Sequence, residues 1–227
     1  PANHRVSSIK AKHQAYINFV SHPLNEPDYY SFISSTHIGL LPYDSDRYNA
    51  RRAGILGEYL AAGVPVVVPS SCWLADQIEP ENRCYWRELY DIGADASVTP
   101  TDHSNIIEVT APPHADALVF LCKIPMKHDS PHDISISLTN LSAQNLVIGS
   151  PWAGTSCGDS TIFLLPIKSS AEKAVYRIAL DWRFDDNYSF EVNEPTCRAI
   201  IPEDGQRTPW GSIGLVAHDI DQFPLLV

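Results

Sequence analysis

The chain has 227 residues and a formal net charge of −11, with 44% hydrophobic and 19% charged residues. This composition is typical of a globular protein and excludes a disordered chain. The acidic balance argues against a general nucleic-acid-binding protein, which needs a basic face. No apolar run approaches the ~20 residues that span a bilayer, so we expect no transmembrane segment.

The five cysteines are scattered along the chain, and no two of them form a C-x-x-C pair. An odd, scattered set is a poor disulfide framework and does not match a zinc cluster. No secretory signal peptide is visible. We therefore predict reduced, mostly buried thiols in a cytoplasmic protein, with no metal site and no cofactor.

The first 95 residues alternate between strand-like and helix-like patterns. Predicted strands cover residues 17–20, 37–41 and 64–68, and predicted helices cover residues 26–35, 54–62 and 73–79. Gly63 stands where a left-handed residue ends a helix. The β-branched run of residues 64–68 suits a parallel strand that is buried on both faces. Strand–helix–strand units of this length predict a doubly wound parallel sheet.

The helical period fades after residue 95, and short strands separated by turn residues follow. They are predicted at residues 106–109, 117–124, 133–138, 145–148, 161–167, 175–182, 189–192 and 197–201. Several short strands at this spacing predict an antiparallel β-sandwich. The last segment switches back, with a Gly-led apolar strand at residues 211–216 and the opening of a helix after residue 219.

The candidate ligand site is a loop that leads into the helix at Gly54. Free N–H groups and the helix dipole at such a helix start favour an anion. Gly54 lets a ligand approach the backbone closely, and Arg51 and Arg52 add positive charge beside it. Glu58, one turn further along, is placed to contact a sugar hydroxyl. Glu58 as a plain surface acid, and the two arginines as a solvated pair, are the structural alternatives.

Two sequence boxes surround this loop: Leu40-Leu41-Pro42-Tyr43-Asp44, and Ala62-Gly63-Val64-Pro65-Val66-Val67 after the helix that carries Glu58. Together they resemble the C-terminal, nucleotide-sugar-binding half of retaining GT-B glycosyltransferases of the family 4 type. The resemblance covers about residues 14–80. It implies that Glu58 holds the nucleotide ribose and that the amides of Ala53 and Gly54 face the diphosphate. Ala50 stands where the family often has a second glutamate, and the catalytic residue is not assigned.

The order of elements in that family implies a fold class and a domain layout. We expect an α/β fold: a Rossmann-like parallel sheet, the GT-B C-terminal half, interrupted by an antiparallel β-sandwich domain. Residues 1–95 and 209–227 would form the incomplete nucleotide-sugar-binding domain, and residues 96–208 the inserted domain. The resemblance further implies a fragment of a longer transferase that lacks an N-terminal acceptor domain and is inactive alone.

The function that follows is transfer of a sugar from a nucleotide-sugar donor to a carbohydrate or lipid-linked acceptor. The nucleotide-sugar is the substrate, and helix dipole and arginine stabilise the leaving diphosphate in place of a metal. The first alternative is a non-catalytic glycan- or protein-binding module derived from a transferase. The second is a scaffold without a ligand.

Overall fold

The computed structural model describes residues 20, 23–43, 53–70, 72–124, 134–143, 146–150, 155–182, 191–203, 206–209 and 211–217. The chain divides into two compact units, Pro1–Thr36 and His37–Val227. The described helices are α1 (Glu26–Ser34), α2 (Gly54–Ala61) and α3 (Trp73–Ile92). The described strands are β1 (Gly39–Leu40), β2 (Val66–Pro69), β3 (Ala94–Asp95), β4 (Ser97–Pro100), β5 (Ile106–Ala111), β6 (Ala117–Lys123), β7 (Ile134–Asn140), β8 (Leu146–Ser150), β9 (Thr155–Cys157), β10 (Ser160–Pro166), β11 (Ala174–Trp182), β12 (Asn193–Ile200) and β13 (Gly214–Ala217).

Helix α1 is the described element of the first unit. Its N-cap is Asn25, whose side chain accepts a hydrogen bond from the backbone N–H of Asp28 at 2.9 Å. This cap satisfies one of the unpaired donors at the helix start. The helix confirms the sequence prediction of a helix here, and Ile33 on it is buried whereas Phe32 is 47% exposed.

The second unit contains a small parallel sheet in the order β1-β2-β13. The central strand β2 pairs in parallel with both neighbours, with Val66 opposite Gly39 on one side and opposite Gly214 on the other. All four residues of β2 are buried. The Gly-led strand near the C-terminus therefore pairs with the Pro-Val-Val strand and not with the antiparallel strands that precede it.

Helix α2 connects β1 to β2, and its C-terminus is set by Gly63. The backbone of Gly63 has φ 70°, in the left-handed region that glycine adopts without strain. The N–H of Gly63 bonds to the carbonyl of Leu60, and the N–H of Val64 bonds to the carbonyl of Tyr59. These two bonds form the Schellman arrangement that ends a helix, which confirms the predicted cap.

Helix α3 is longer than its sequence predicts. The sequence predicts a helix over residues 73–79, but the helix continues through Pro80 to Ile92. The buried positions recur every three or four residues through the proline: Leu74, Ala75, Ile78, Asn82, Trp86 and Leu89. A continuous buried stripe of this kind outweighs the local helix-breaking tendency of one proline.

The remaining strands form two antiparallel sheets of five strands each. The inner sheet has the order β3-β12-β6-β10-β9, and the outer sheet has the order β4-β5-β11-β7-β8. Side chains of both sheets share one buried cluster, with Phe120 and Phe163 from the inner sheet and Ile136 and Ile178 from the outer sheet. The two sheets therefore pack face to face as a β-sandwich.

Helix α3 covers the second face of the inner sheet. Trp86 and Leu89 of the helix form a buried cluster with Val119, Ile162 and Leu164 of the sheet. The inner sheet is consequently buried on both faces. This explains why β6 and β10 are almost continuously apolar, whereas β5 in the outer sheet alternates between buried and half-buried residues.

The expected fold class, a Rossmann-like α/β half of a GT-B enzyme interrupted by a sandwich, is wrong. The protein is mainly β, with two antiparallel sheets, a small parallel sheet and three helices among the described residues. The parallel strands have only two, four and four residues. The prediction failed because most apolar strands and much of α3 build the sandwich core. The proposed domain boundaries at residues 95 and 208 stay a prediction.

Candidate functional site

The predicted site residues cluster at the start of α2 as far as the structure describes them. Arg51 and Arg52 lie outside the described residues, as does Ala50. Ala53 is the N-cap of α2, Gly54 is its first residue, and Glu58 lies one turn further along. The structure thus places Ala53, Gly54 and Glu58 at the N-cap and in the first five residues of α2, and it leaves the role of the two arginines a prediction.

The start of α2 lies toward the carboxyl edge of the parallel sheet. Strands β1, β2 and β13 all run in one direction, and α2 runs back from the end of β1 to the start of β2. Ala53 and Tyr43, which flank the intervening loop, pack against the same apolar cluster of the parallel layer. The carboxyl edge of an open parallel sheet is where ligands bind in α/β proteins.

One face of α2 is open and made of small residues. Gly54 and Gly57 are exposed, and a Cβ atom added at either would meet nothing within 4 Å. Leu56 is buried on the opposite side and anchors the helix to the parallel sheet. Glu58 is half-buried and takes part in an interaction within the chain. Among the described residues, no side chain stands between a ligand and the backbone of this face.

A second helix, α3, also begins at this edge, directly after β2. Its N-cap Cys72 makes no side-chain cap, and the Cys72 carbonyl accepts the backbone N–H groups of Ala75 and Asp76. Asp76 places a carboxylate in the first turn of α3, whereas the first turn of α2 contains no acid. A carboxylate there already offsets the positive end of the helix dipole. The start of α2 is therefore the better of the two positions for an anion.

The structure also contains a cleft that sequence analysis missed, with a volume of about 690 Å³. It lies at one end of the sandwich, beside the start of β6 and the ends of β10 and β12. Its lining includes three basic side chains, His114, Lys168 and Arg207, and an apolar part. The apolar part consists of Pro166, Ile167, Ile201 and Pro202.

Asp116 holds the walls of this cleft together. Its carboxylate accepts the backbone N–H of Thr208 at 2.8 Å and the Thr208 hydroxyl at 2.5 Å. Its backbone N–H donates to Ile200, and its carbonyl accepts the N–H of Ile167. The Tyr85 hydroxyl of α3 donates a hydrogen bond to the carbonyl of Pro209, the residue after Thr208, at 3.2 Å. Burial, and then the Asp116 charge, raise the pKa of Tyr85.

No local signal in the sequence announces this cleft. His114 and Asp116 flank a turn, but Lys168 and Arg207 lie far along the chain from them. They meet only because β6 pairs with both β10 and β12, which places Ala117 opposite Pro166 on one side and opposite Ile200 on the other. The sandwich register therefore builds the cleft.

The five cysteines are free. Cys72, Cys122 and Cys197 are buried, Cys157 is half-buried and Cys84 is exposed. Burial raises the pKa of the Cys122 and Cys197 thiols well above the usual range. Both thiols are thus protonated and unreactive at neutral pH.

Comparison with known proteins adds no family assignment. No protein-family model matches the chain, and a search of curated proteins finds no match. None of the helices in the described part of the chain is long and apolar enough to cross a membrane.

Proposed function

We propose that the chain binds the diphosphate of a nucleotide-sugar at the N-terminus of α2, and that it is the donor-binding part of a glycosyltransferase. The observation that carries the proposal is the start of α2 at the carboxyl edge of a parallel sheet. Its N-cap Ala53 offers no side-chain oxygen, and no acid lies in its first turn. Of the first-turn N–H groups, that of Leu56 bonds to the carbonyl of Ala53 at 3.3 Å, and those of Gly54 and Ile55 are the donors that we propose meet the anion.

The open face of α2 supports a ligand that runs along the helix. Gly54 and Glu58 are four residues apart and so lie on the same face, about 6 Å apart along the helix axis. A diphosphate at Gly54 would leave the attached ribose near Glu58. Carboxylate–hydroxyl hydrogen bonds are charge-assisted and suit ribose recognition.

The chemistry of sugar transfer fits an anion site of this kind. The bond between the donor's anomeric carbon and the diphosphate oxygen breaks, and the acceptor hydroxyl oxygen bonds to that carbon as it loses its proton. Negative charge grows on the leaving diphosphate. Fixed backbone donors and a helix dipole stabilise such growing charge without having to reorganise.

Isothermal titration calorimetry with uridine, adenosine and guanosine diphosphates tests the site. We expect Glu58→Ala to weaken binding of the preferred nucleotide by more than ~1 kcal/mol, about fivefold, because a charge-assisted hydrogen bond is lost. Glu88→Ala is the matched control, since Glu88 is an exposed acid on α3. Equal affinity of the two variants would remove Glu58 from the ribose role.

A transfer assay distinguishes a glycosyltransferase from the alternative, a non-catalytic binding module. Nucleotide-sugars are incubated with the protein and simple sugar acceptors, and release of the nucleoside diphosphate is followed. Release that depends on acceptor supports transfer. Nucleotide binding without any release would favour a binding module derived from a transferase.

A further inference from the structure

The cleft at the end of the sandwich has features of a second binding site, separate from the start of α2. None of its lining residues belongs to a helix or to the parallel sheet. Its volume of about 690 Å³ lies within the range of small-molecule sites. Its lining combines an apolar part with a few polar groups, which is the usual composition of such sites.

The cations of the cleft differ from most others in the described part of the chain. Lys123, Arg87, Arg177 and Arg198 each form an ion pair with a carboxylate. Neither Lys168 nor Arg207 forms an ion pair with any described residue, although both side chains are exposed at the cleft. Two cations that converge on one concave surface without carboxylate partners attract an anion, in a chain whose net charge of −11 otherwise repels it.

The cleft also contains two acids, Asp116 and Glu203, which differ in their contacts. Both carboxylate oxygens of Asp116 accept hydrogen bonds from Thr208, so that this group serves the wall of the cleft. Glu203 is the other acid of the lining. The described lining therefore contains two acids, Asp116 and Glu203, and two permanent cations, Lys168 and Arg207, and neither cation forms an ion pair with either acid.

The backbone at His114 is a further mark of a built site. His114 has φ 66°, which is uncommon for a residue other than glycine. Its N–H donates to the carbonyl of Ser170 at 2.6 Å, which holds the exposed ring beside Lys168 and Ser169 of the lining. Strained residues of this kind concentrate at ligand sites.

We infer that this cleft binds a small organic anion whose oxyanion group meets Arg207 and Lys168 and whose apolar body lies against Pro166, Ile167 and Ile201. The shared chemistry is a carboxylate or phosphate on a hydrophobic body. Arg207 can contact either group through two parallel N–H donors, and Lys168 adds a point charge.

Three probes with the same ring test the inference on the full chain: phenyl phosphate, phenylacetate and benzyl alcohol. Binding is followed by calorimetry and by chemical-shift changes in nuclear magnetic resonance spectra. We expect at least one anion to bind and the neutral alcohol to bind much more weakly, with affinity that falls as salt rises. The stronger of the two anions identifies the oxyanion. Equal binding of benzyl alcohol, or no binding of either anion, would overturn the inference.

Matched variants locate the binding. Replacing both cations, Lys168→Gln with Arg207→Gln, should weaken the preferred anion roughly tenfold or more, since two charge-assisted contacts are lost. Lys173→Gln with Arg87→Gln is the control pair and should leave affinity unchanged. Glu58→Ala separates the two sites: it should leave probe binding at the cleft intact. An equal loss in test and control pairs would refute the site.

Discussion

The parallel layer and the β-sandwich obtain their buried cores in different ways. The parallel layer has three short strands, and the middle one, Val66–Pro69, is wholly buried. The sandwich has two sheets of five strands; the inner one is buried on both faces, whereas β5 of the outer one alternates between buried and half-buried residues. A continuously buried strand therefore indicates that both faces of its sheet are covered, and it does not distinguish a parallel sheet from an antiparallel one.

Helix α3 packs against both regions, and Val67, Leu215 and Ala217 of the parallel layer also lie in the buried cluster of the sandwich. Its first half, with Leu74 and Ile78, packs in the cluster of the parallel layer, and its second half, with Trp86 and Leu89, packs on the inner sheet. Asn82 lies between the two halves and is buried. Helix α3 thus joins the parallel layer, which also packs against α2, to the sandwich.

Among the substitutions that test the role of α3, removal of the Trp86 side chain should lower the free energy of unfolding the most. Trp86 is 6% exposed and fills the space between α3 and the inner sheet. We expect Trp86→Ala to lower the free energy of unfolding by ~3–5 kcal/mol, the usual result of deleting a buried aromatic ring. Denaturant titration followed by circular dichroism measures it. A loss below ~1 kcal/mol would mean that α3 does not cover the inner sheet.

Loss of the Asn82 side chain should have the next largest effect. Its amide donates to the carbonyl of Gly214 at 2.9 Å and accepts the N–H of Ser212 at 3.1 Å. Asn82→Leu leaves these backbone groups unpaired, at about 1–3 kcal/mol for each group that stays buried. Asn193→Leu, at an exposed strand position, is the control. Equal stabilities in denaturant titration would contradict the link between α3 and β13.

Two glycines allow a matched comparison with a smaller effect. Gly63 after α2 has φ 70° and Gly158 between β9 and β10 has φ 66°, and an added Cβ would meet nothing within 4 Å at either. The change to alanine therefore tests backbone strain alone. We expect Gly63→Ala and Gly158→Ala each to lower the free energy of unfolding by ~1–2 kcal/mol. A clear difference between the two would indicate that one region relaxes the strain locally.

These contrasts explain how much of the fold could be predicted from the sequence. Gly63, the α2 pattern and most antiparallel strands have local signals, namely a glycine after a helical run and apolar segments between turns. The length of α3 has no local signal. Pro80 locally disfavours a helix, but burial of the helix against sheets that are distant in sequence stabilises it. The apolar runs of β6 and β10 also did not reveal the helix that covers them.

The candidate sites differ in the same way. The start of α2 could be predicted, because Gly54 and Glu58 are neighbours along the chain and their helix has its own apolar pattern. The cleft could not, since Asp116 and Thr208 are brought together only by the pairing of β6 with β12. Local chemistry is visible in a sequence, whereas a cleft assembled by strand register becomes visible only in the fold.

The affinity of Gly54→Ala for a nucleoside diphosphate tests the central claim most directly. An added Cβ at Gly54 meets no described residue within 4 Å, and alanine favours a helix over glycine by up to ~1 kcal/mol. The variant should therefore be at least as stable as the parent, yet bind the nucleotide several-fold more weakly, because the methyl group stands where the diphosphate approaches the backbone. Unchanged or tighter binding by a stable Gly54→Ala protein would contradict a diphosphate site at the start of α2.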